Sequence, residues 1–168
     1  MLFCRNGKRD DLLIRGARVL DPGEGVDAVL DVVVEHGVIS RLESARSSSV
    51  NGHRLVDAEG LILAPAFVDP HVHLRTPGRE DEETLASGTA AAAAGGFCAV
   101  LAMPNTDPVV DSAAVLGALA DAARADALVP VGFLATITKG QAGDELTEMA
   151  ELAERGAAGF SDDGRPVA

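Results

Sequence analysis

Strand-type and helix-type segments alternate from residue 66 onward, and this alternation constrains the fold more than any other feature. The apolar strand-type runs cover residues 66–74, 97–103, 129–137 and 157–161, and the helix-type segments cover 81–94, 111–127 and 144–155. Successive strand–helix–strand units predict a parallel sheet. The strand starts lie about thirty residues apart, which suits either an open doubly wound sheet or a (β/α)8 barrel.

Polar clusters at the strand ends favour the barrel. No Gly-x-Gly-x-x-Gly motif follows any of these strands, so a dinucleotide-binding fold has no support. His71-Val72-His73, Met103-Pro104-Asn105-Thr106 and Ser161-Asp162-Asp163-Gly164 stand there instead. Barrel enzymes build their active sites at the carboxyl ends of strands. We therefore expect an α/β fold that contains the first four strands of a (β/α)8 TIM barrel. Because four strands do not close a barrel, the expected barrel is partial.

The N-terminal part has a different pattern. Residues 12–63 contain short strand-type runs separated by turn residues, which predicts part of a small antiparallel β-sheet or β-sandwich domain. Its two histidines, His36 and His53, stand beside glycines and are expected to be solvated turn residues. Residues 1–11 are polar and are expected to form a loose leader. The predicted division is therefore 1–11, 12–63 and 64–168, the last being the barrel segment.

Composition excludes several classes of function. The formal net charge is −12, which argues against nucleic acid as a partner, because phosphate binding needs a basic surface. The longest apolar run, residues 61–68, is too short for a membrane span and contains a proline. No secretory signal pattern opens the chain. Two cysteines do not make a disulfide framework, and a cytoplasmic protein is expected.

The pair His71 and His73 is the sharpest chemical signal. Residues at i and i+2 of a strand project from the same face, so the two imidazoles can bind one divalent ion. The alternative is a pair of exposed histidines at a strand end. Arg75 would lie on the same face and offer a bidentate donor to a carboxylate.

Three other strand-end groups are open to two interpretations. Asp162 or Asp163 could complete a metal site, or the Asp-Asp-Gly segment could be an ordinary turn. Asn105 could bind a substrate carboxylate or carbonyl, or form an Asx turn. Lys139 is more simply a solvated loop residue than a carboxylated metal ligand.

These residues together resemble the signature of bacterial class I dihydroorotases of the amidohydrolase superfamily. The resemblance begins with Val68-Asp69-Pro70-His71-Val72-His73-Leu74-Arg75 and Pro77-Gly78. It continues through Gly88-Thr89-Ala90, Gly95-Gly96-Phe97, Met103-Pro104-Asn105-Thr106, Thr138-Lys139-Gly140 and Phe160-Ser161-Asp162-Asp163-Gly164. It covers nearly the whole chain, which corresponds to the N-terminal portion of a family member.

The resemblance implies a zinc-dependent amidohydrolase with one or two ions in a complete site. It places metal ligands at His71, His73 and Asp163, with Asp162 the weaker choice for the carboxylate. It places substrate binding at His73, Arg75 and Asn105. The reaction implied is the reversible cyclisation of N-carbamoyl-L-aspartate to dihydroorotate, a step of pyrimidine biosynthesis.

The resemblance also carries expectations about completeness and partners. The family takes further histidines and a catalytic aspartate from later strands, so the general base is expected beyond residue 168 and this chain is expected to be inactive alone. Unpaired strand edges would favour a homo-oligomer. The alternatives are another cyclic-amide hydrolase, such as an allantoinase or dihydropyrimidinase, and a non-catalytic partner of aspartate carbamoyltransferase. Arg75 with Asn105 favours an acidic substrate.

Overall fold

The structure, a computed structural model, describes residues 1–7, 10–46 and 52–167. The chain divides into two compact units. One unit is Gly7–Pro65, and the other combines Met1–Asn6 with the residues from Ala66 onward. None of the helices in the described ranges is both long enough and apolar enough to cross a bilayer.

The smaller unit is one sheet of five strands. Its strands are β1 (Leu12–Asp21), β2 (Val26–Glu35), β3 (Val38–Ser44), β4 (Arg54–Asp57) and β5 (Ile62–Leu63). β1 and β2 pair antiparallel, as do β2 and β3, but β4 and β5 both run parallel to β1. The expectation of an antiparallel sheet was therefore wrong for two strands. Alternating apolar positions are compatible with either direction of pairing, so the pattern could not distinguish them.

A buried carboxylate shapes the centre of this sheet. The pairing of β1 with β2 shifts register between Ile14 and Ala17, and Gly16 in the shift has a φ of 70°. The Gly16 amide donates to Asp31 Oδ1 at 2.9 Å, and Asp31 is fully buried. Glycine suits this backbone conformation, which other residues adopt only with strain.

His53 is not the solvated turn residue that its neighbours suggest. Its side chain is only 11% exposed, and Nε2 lies 3.6 Å from Glu35 Oε1. His53 directly precedes β4, and the ring lies against the end of β2 rather than in water. His36 is exposed, as expected for a residue in the turn between β2 and β3.

The larger unit alternates strands and helices as predicted. Its elements are β6 (Phe67–Val72), α1 (Leu85–Ala94), β7 (Phe97–Ala102), α2 (Ala113–Asp126), β8 (Val131–Ala135), a 3-10 turn (Lys139–Gln141), α3 (Met149–Glu154) and β9 (Gly159–Phe160). The four strands lie in the order β6-β7-β8-β9, and every neighbouring pair is parallel. All four carboxyl ends therefore meet along one edge of the sheet, which is where the polar clusters stand.

The two longer helices begin later than the sequence suggests. Thr84 caps α1, and a capping box joins it to Ser87, so residues 81–83 of the predicted helix segment precede the helix. Ser112 is the N-cap of α2, so Asp111, the first residue of the predicted helix segment, lies outside the helix. Asp111 Oδ2 instead accepts a hydrogen bond from the Gly140 amide at 3.0 Å, across the strand ends.

The first residues of the chain belong to the core of the larger unit and not to a loose leader. Phe3 is 4% exposed, forms an antiparallel bridge with Val131, and stacks on Phe133 with ring centroids 6.2 Å apart. β9 pairs with β8 only from Leu134 onward, so the start of β8 is available to Phe3. The expectation for residues 1–11 was therefore wrong for this segment, because pairing and burial fix it.

Candidate functional site

A cluster of two imidazoles and one carboxylate lies at the carboxyl edge of the parallel sheet. His71 Nε2 is 3.2 Å from Asp163 Oδ1, and His73 Nδ1 is 4.0 Å from Asp163 Oδ2. One ligand atom from each of the three residues lies within 4.8 Å of the others. The structure therefore brings together the three residues for which metal ligation is predicted.

Strand geometry accounts for the two histidines. His71 lies in β6, and His73 directly follows its last residue, so the two rings leave the same face with centroids 5.3 Å apart. The backbone amide of His71 donates to Asp69 Oδ1 at 3.0 Å, which holds the strand end. The side chain of His71 is 59% exposed and that of His73 is 31% exposed, so an ion and a substrate have access from solvent.

Asp163 follows β9, which is the outer strand at the opposite end of the sheet from β6. It lies beyond β9, and its backbone has a φ of 39°, a region that residues other than glycine seldom occupy. The Asp163 amide donates to Ser161 Oγ at 3.0 Å. Its side chain is only 12% exposed, so its carboxylate faces the histidines from a largely enclosed position.

Asp162 has different surroundings from its neighbour. It is 3% exposed and accepts hydrogen bonds from the amides of Ile137 and Thr138 and from Thr138 Oγ1. All three donor groups belong to the segment after β8. Of the two aspartates, Asp163 is therefore the one that lies beside the histidines.

Asn105 contacts the cluster directly. Its Oδ1 lies 2.9 Å from His73 Nδ1. Asn105 follows β7, which pairs with β6, so adjacent strands deliver the amide and the imidazole to the same place. Asn105 therefore lies beside the cluster, and its role in binding a substrate stays a prediction.

Arg75 lies in the loop after β6 and is held by an acidic residue of that loop. Its Nε is 3.3 Å from Glu82 Oε2, and its side chain is 38% exposed. The backbone of Arg75 has a φ of 57°. A substrate carboxylate that binds this guanidinium would share it with Glu82.

Lys139 behaves as an ordinary solvated lysine. Its Nζ lies 2.5 Å from Glu145 Oε1. The hydrogen bond and the charge of Glu145 raise the pKa of Lys139 above its usual value. The ammonium form is thereby favoured, whereas carboxylation requires the free amine.

The donor set suits a divalent transition metal. Two imidazole nitrogens and one carboxylate oxygen are ligands that zinc uses in catalytic sites, where three protein ligands leave a position for water or substrate. The partly exposed histidines and the enclosed carboxylate fit this arrangement. The residues present therefore fit a divalent metal ion.

Two contacts of the site were not foreseen. The sequence pattern pairs Arg75 only with a substrate, and the contact of Arg75 with Glu82 depends on the path of a loop. The contact between Thr138 and Asp162 joins the segments after β8 and β9. The sequence could have indicated the second contact, because Thr138 carries a hydroxyl group and Asp162 a carboxyl group at the ends of adjacent strands.

Comparisons with known proteins identify the family. Residues 60–168 match the family described as Dihydro-orotase-like. Dihydroorotases from Geobacter sulfurreducens and Anaeromyxobacter dehalogenans are 50% and 48% identical to the chain, each over 94% of its length. The chain spans only 37% and 36% of those two relatives.

A solved structure shows the same fold at lower identity. The L-hydantoinase (dihydropyrimidinase) from Arthrobacter aurescens aligns with a TM-score of 0.73 at 22% identity, covering 90% of this chain and 32% of that one. This agreement confirms the predicted partial barrel preceded by a small sheet domain, and the sequence matches confirm the resemblance. The chain belongs to the dihydro-orotase-like family.

Proposed function

We propose that this chain forms the first part of a dihydroorotase, which interconverts N-carbamoyl-L-aspartate and dihydroorotate. The observation that carries the proposal is the cluster of His71, His73 and Asp163 at the carboxyl edge of the parallel strands. Relatives named dihydroorotase that are 45–50% identical over 94% of the chain support it.

The three clustered residues would hold a zinc ion. A bound zinc ion supplies Lewis-acid chemistry, polarising the amide carbonyl of the ring and activating water. His71 and His73 bind as neutral imidazoles, and Asp163 contributes the negative charge that favours a cation. Since Asp163 is mostly enclosed, its charge is less screened by solvent than that of a surface carboxylate.

Arg75 and Asn105 would hold the substrate. Arg75 offers a planar guanidinium to the substrate carboxylate, a geometry that suits bidentate hydrogen bonding. With Asn105 Oδ1 facing His73, the amide nitrogen remains to donate to the same carboxylate. This pair favours dihydroorotate, an acid, over uncharged cyclic amides such as the substrates of hydantoinases.

The pathway, the cellular location and the assembly are part of the same proposal. Pyrimidine biosynthesis is the pathway in which this conversion serves, and the cytoplasm is its expected place. A homo-oligomer or an association with aspartate carbamoyltransferase is the proposed assembly.

A chimera tests the proposed activity. This chain would replace the matched segment of the Geobacter sulfurreducens dihydroorotase, and dihydroorotate hydrolysis would be followed beside hydantoin and dihydrouracil hydrolysis. We expect dihydroorotate to be the preferred substrate and His71→Ala to abolish turnover, with His36→Ala in the sheet unit as the unaffected control. Arg75→Gln should raise KM by about 10–100-fold, the value of a lost charged hydrogen bond. Preference for hydantoin or dihydrouracil would contradict the proposal.

A further inference from the structure

We propose that Asp162 is a positioning residue that holds Asp163 in place to bind the metal ion. The inference rests on the proposed metal site and extends it to a residue that does not itself touch the ion. Its basis is the difference between two adjacent aspartates. One faces the histidines, and the other is buried among donors of the neighbouring strand end.

The Asp162 side chain accepts its hydrogen bonds from one short segment. Oδ1 accepts from the Ile137 amide at 2.8 Å and from the Thr138 amide at 3.2 Å, and Oδ2 accepts from Thr138 Oγ1 at 2.5 Å. Both side chains are buried, Asp162 at 3% and Thr138 at 1% exposure. The segment after β9 is thereby fastened to the segment after β8.

This fastening continues into the turn beyond Thr138. Thr138 Oγ1 accepts from the Gly143 amide at 3.0 Å, and the backbone carbonyl of Asp162 accepts from the Arg165 amide at 3.2 Å. Hydrogen bonds therefore hold both backbone segments that the Asp162 side chain joins, the one after β8 and the one after β9. β9 itself is only two residues long, and one further backbone hydrogen bond, from the Ser161 amide to the Ala135 carbonyl at 2.9 Å, extends its pairing with β8.

Asp163 depends on this support. Its left-handed backbone conformation is uncommon for a residue other than glycine, and contacts with the surroundings help to hold it. Asp162 anchors the residue directly before it, and Ser161 Oγ accepts its amide hydrogen bond. Loss of the Asp162 anchor should let the Asp163 carboxylate move away from His71 and His73.

Cobalt binding by the 168-residue chain tests the inference. Co²⁺ would be titrated into the wild-type chain and into Asp162→Asn, with affinity and the visible d–d spectrum as readouts. We expect Asp162→Asn to weaken binding by about 10–100-fold, the usual effect of losing a residue that orients a ligand. The spectrum should change as well, because the ligand geometry changes.

Asp111→Asn is the matched control. Asp111 also accepts an amide hydrogen bond from the turn after β8, at 3.0 Å from Gly140, but it is not adjacent to a proposed ligand. We expect its Co²⁺ affinity and spectrum to match the wild type. Equal losses in both variants would mean that the turn matters only as structure, and would overturn the inference.

A double-mutant cycle separates positioning from direct ligation. In an Asp163→Ala background, Asp162→Asn should have no further effect on affinity, since the group it positions is gone. A persistent loss would show that Asp162 binds the metal itself and would overturn the inference.

If Asp162→Asn does not fold, Thr138→Val removes the hydroxyl donor instead and should weaken binding in the same direction; unchanged binding overturns the inference. Failure of the wild-type chain to bind Co²⁺ would refute the proposed metal site itself.

Discussion

His73 Nδ1 lies 2.9 Å from Asn105 Oδ1, and this contact joins the end of β6 to the segment after β7. An amide oxygen only accepts, so Nδ1 must carry the proton for the two atoms to bond. The lone pair of the neutral ring is then on Nε2. Asn105 therefore selects the tautomer of His73 and fixes the plane of its ring.

Replacing Asn105 should weaken metal binding. Asn105→Ala removes the acceptor that orients His73, and we expect zinc affinity to fall by about 10-fold or more, measured by competition with a chromophoric chelator. Thr106→Ala is the control, because Thr106 Oγ1 bonds to the Pro108 carbonyl in the same segment. Unchanged affinity in Asn105→Ala would show that this contact does not orient His73 for the metal, and higher affinity would show that His73 coordinates through Nδ1, in competition with the amide.

The capping box of α1 should contribute measurably to stability. Thr84 Oγ1 accepts the Ser87 amide hydrogen bond at 3.1 Å, and Thr84→Ala should lower the free energy of unfolding by about 1 kcal/mol. Urea denaturation followed by the helical circular dichroism signal reports on this unit. Ser112→Ala is the comparison, because Ser112 caps α2 without a side-chain hydrogen bond and should cost less. Equal costs would argue against the Thr84 bond.

The N-terminal segment should be essential to the larger unit. Phe3→Ala removes a buried ring that stacks on Phe133, and we expect a loss of about 3–5 kcal/mol in unfolding free energy. Leu2, which is 50% exposed, gives the control Leu2→Ala with a loss below about 1 kcal/mol. A loss of similar size in both variants would contradict the burial of Phe3.

A side chain at Gly78 should destabilise the fold. Its φ is 104°, and an added Cβ would lie 2.3 Å from the Asp107 carbonyl oxygen. Gly143 also has a positive φ, 84°, but an added Cβ there meets nothing within 4 Å. Gly78→Ala should therefore cost about 1–3 kcal/mol more than Gly143→Ala in denaturant unfolding. Equal costs would show that the segment at Asp107 moves freely.

The parallel sheet could be predicted because its pattern is local. Alternating apolar runs and alanine-rich segments define β6 to β9 and the helices between them, and the period of two in a strand placed His71 beside His73. The approach of the Asp162-Asp163 segment followed from the rule that parallel strands end at one edge, whereas the choice of Asp163 came from the family resemblance. The role of these residues in binding a metal stays a prediction.

The features that sequence reasoning missed depend on tertiary contacts. Phe3 stands in a segment too short to show a period, and its burial depends on the space beside the start of β8. The pairing of β4 with β1 in parallel leaves no mark on the alternation of side chains. The distinct surroundings of Asp162 and Asp163 arise from the backbone turn after β9, which spacing alone does not reveal.

Anomalous diffraction at the zinc absorption edge, from crystals of the chain grown with zinc, tests the central claim most directly. We predict one peak bonded to an imidazole nitrogen of His71, an imidazole nitrogen of His73 and a carboxylate oxygen of Asp163, at about 2.0–2.2 Å from each. A well-ordered cluster without a peak, or an ion bound elsewhere in its place, would contradict the account.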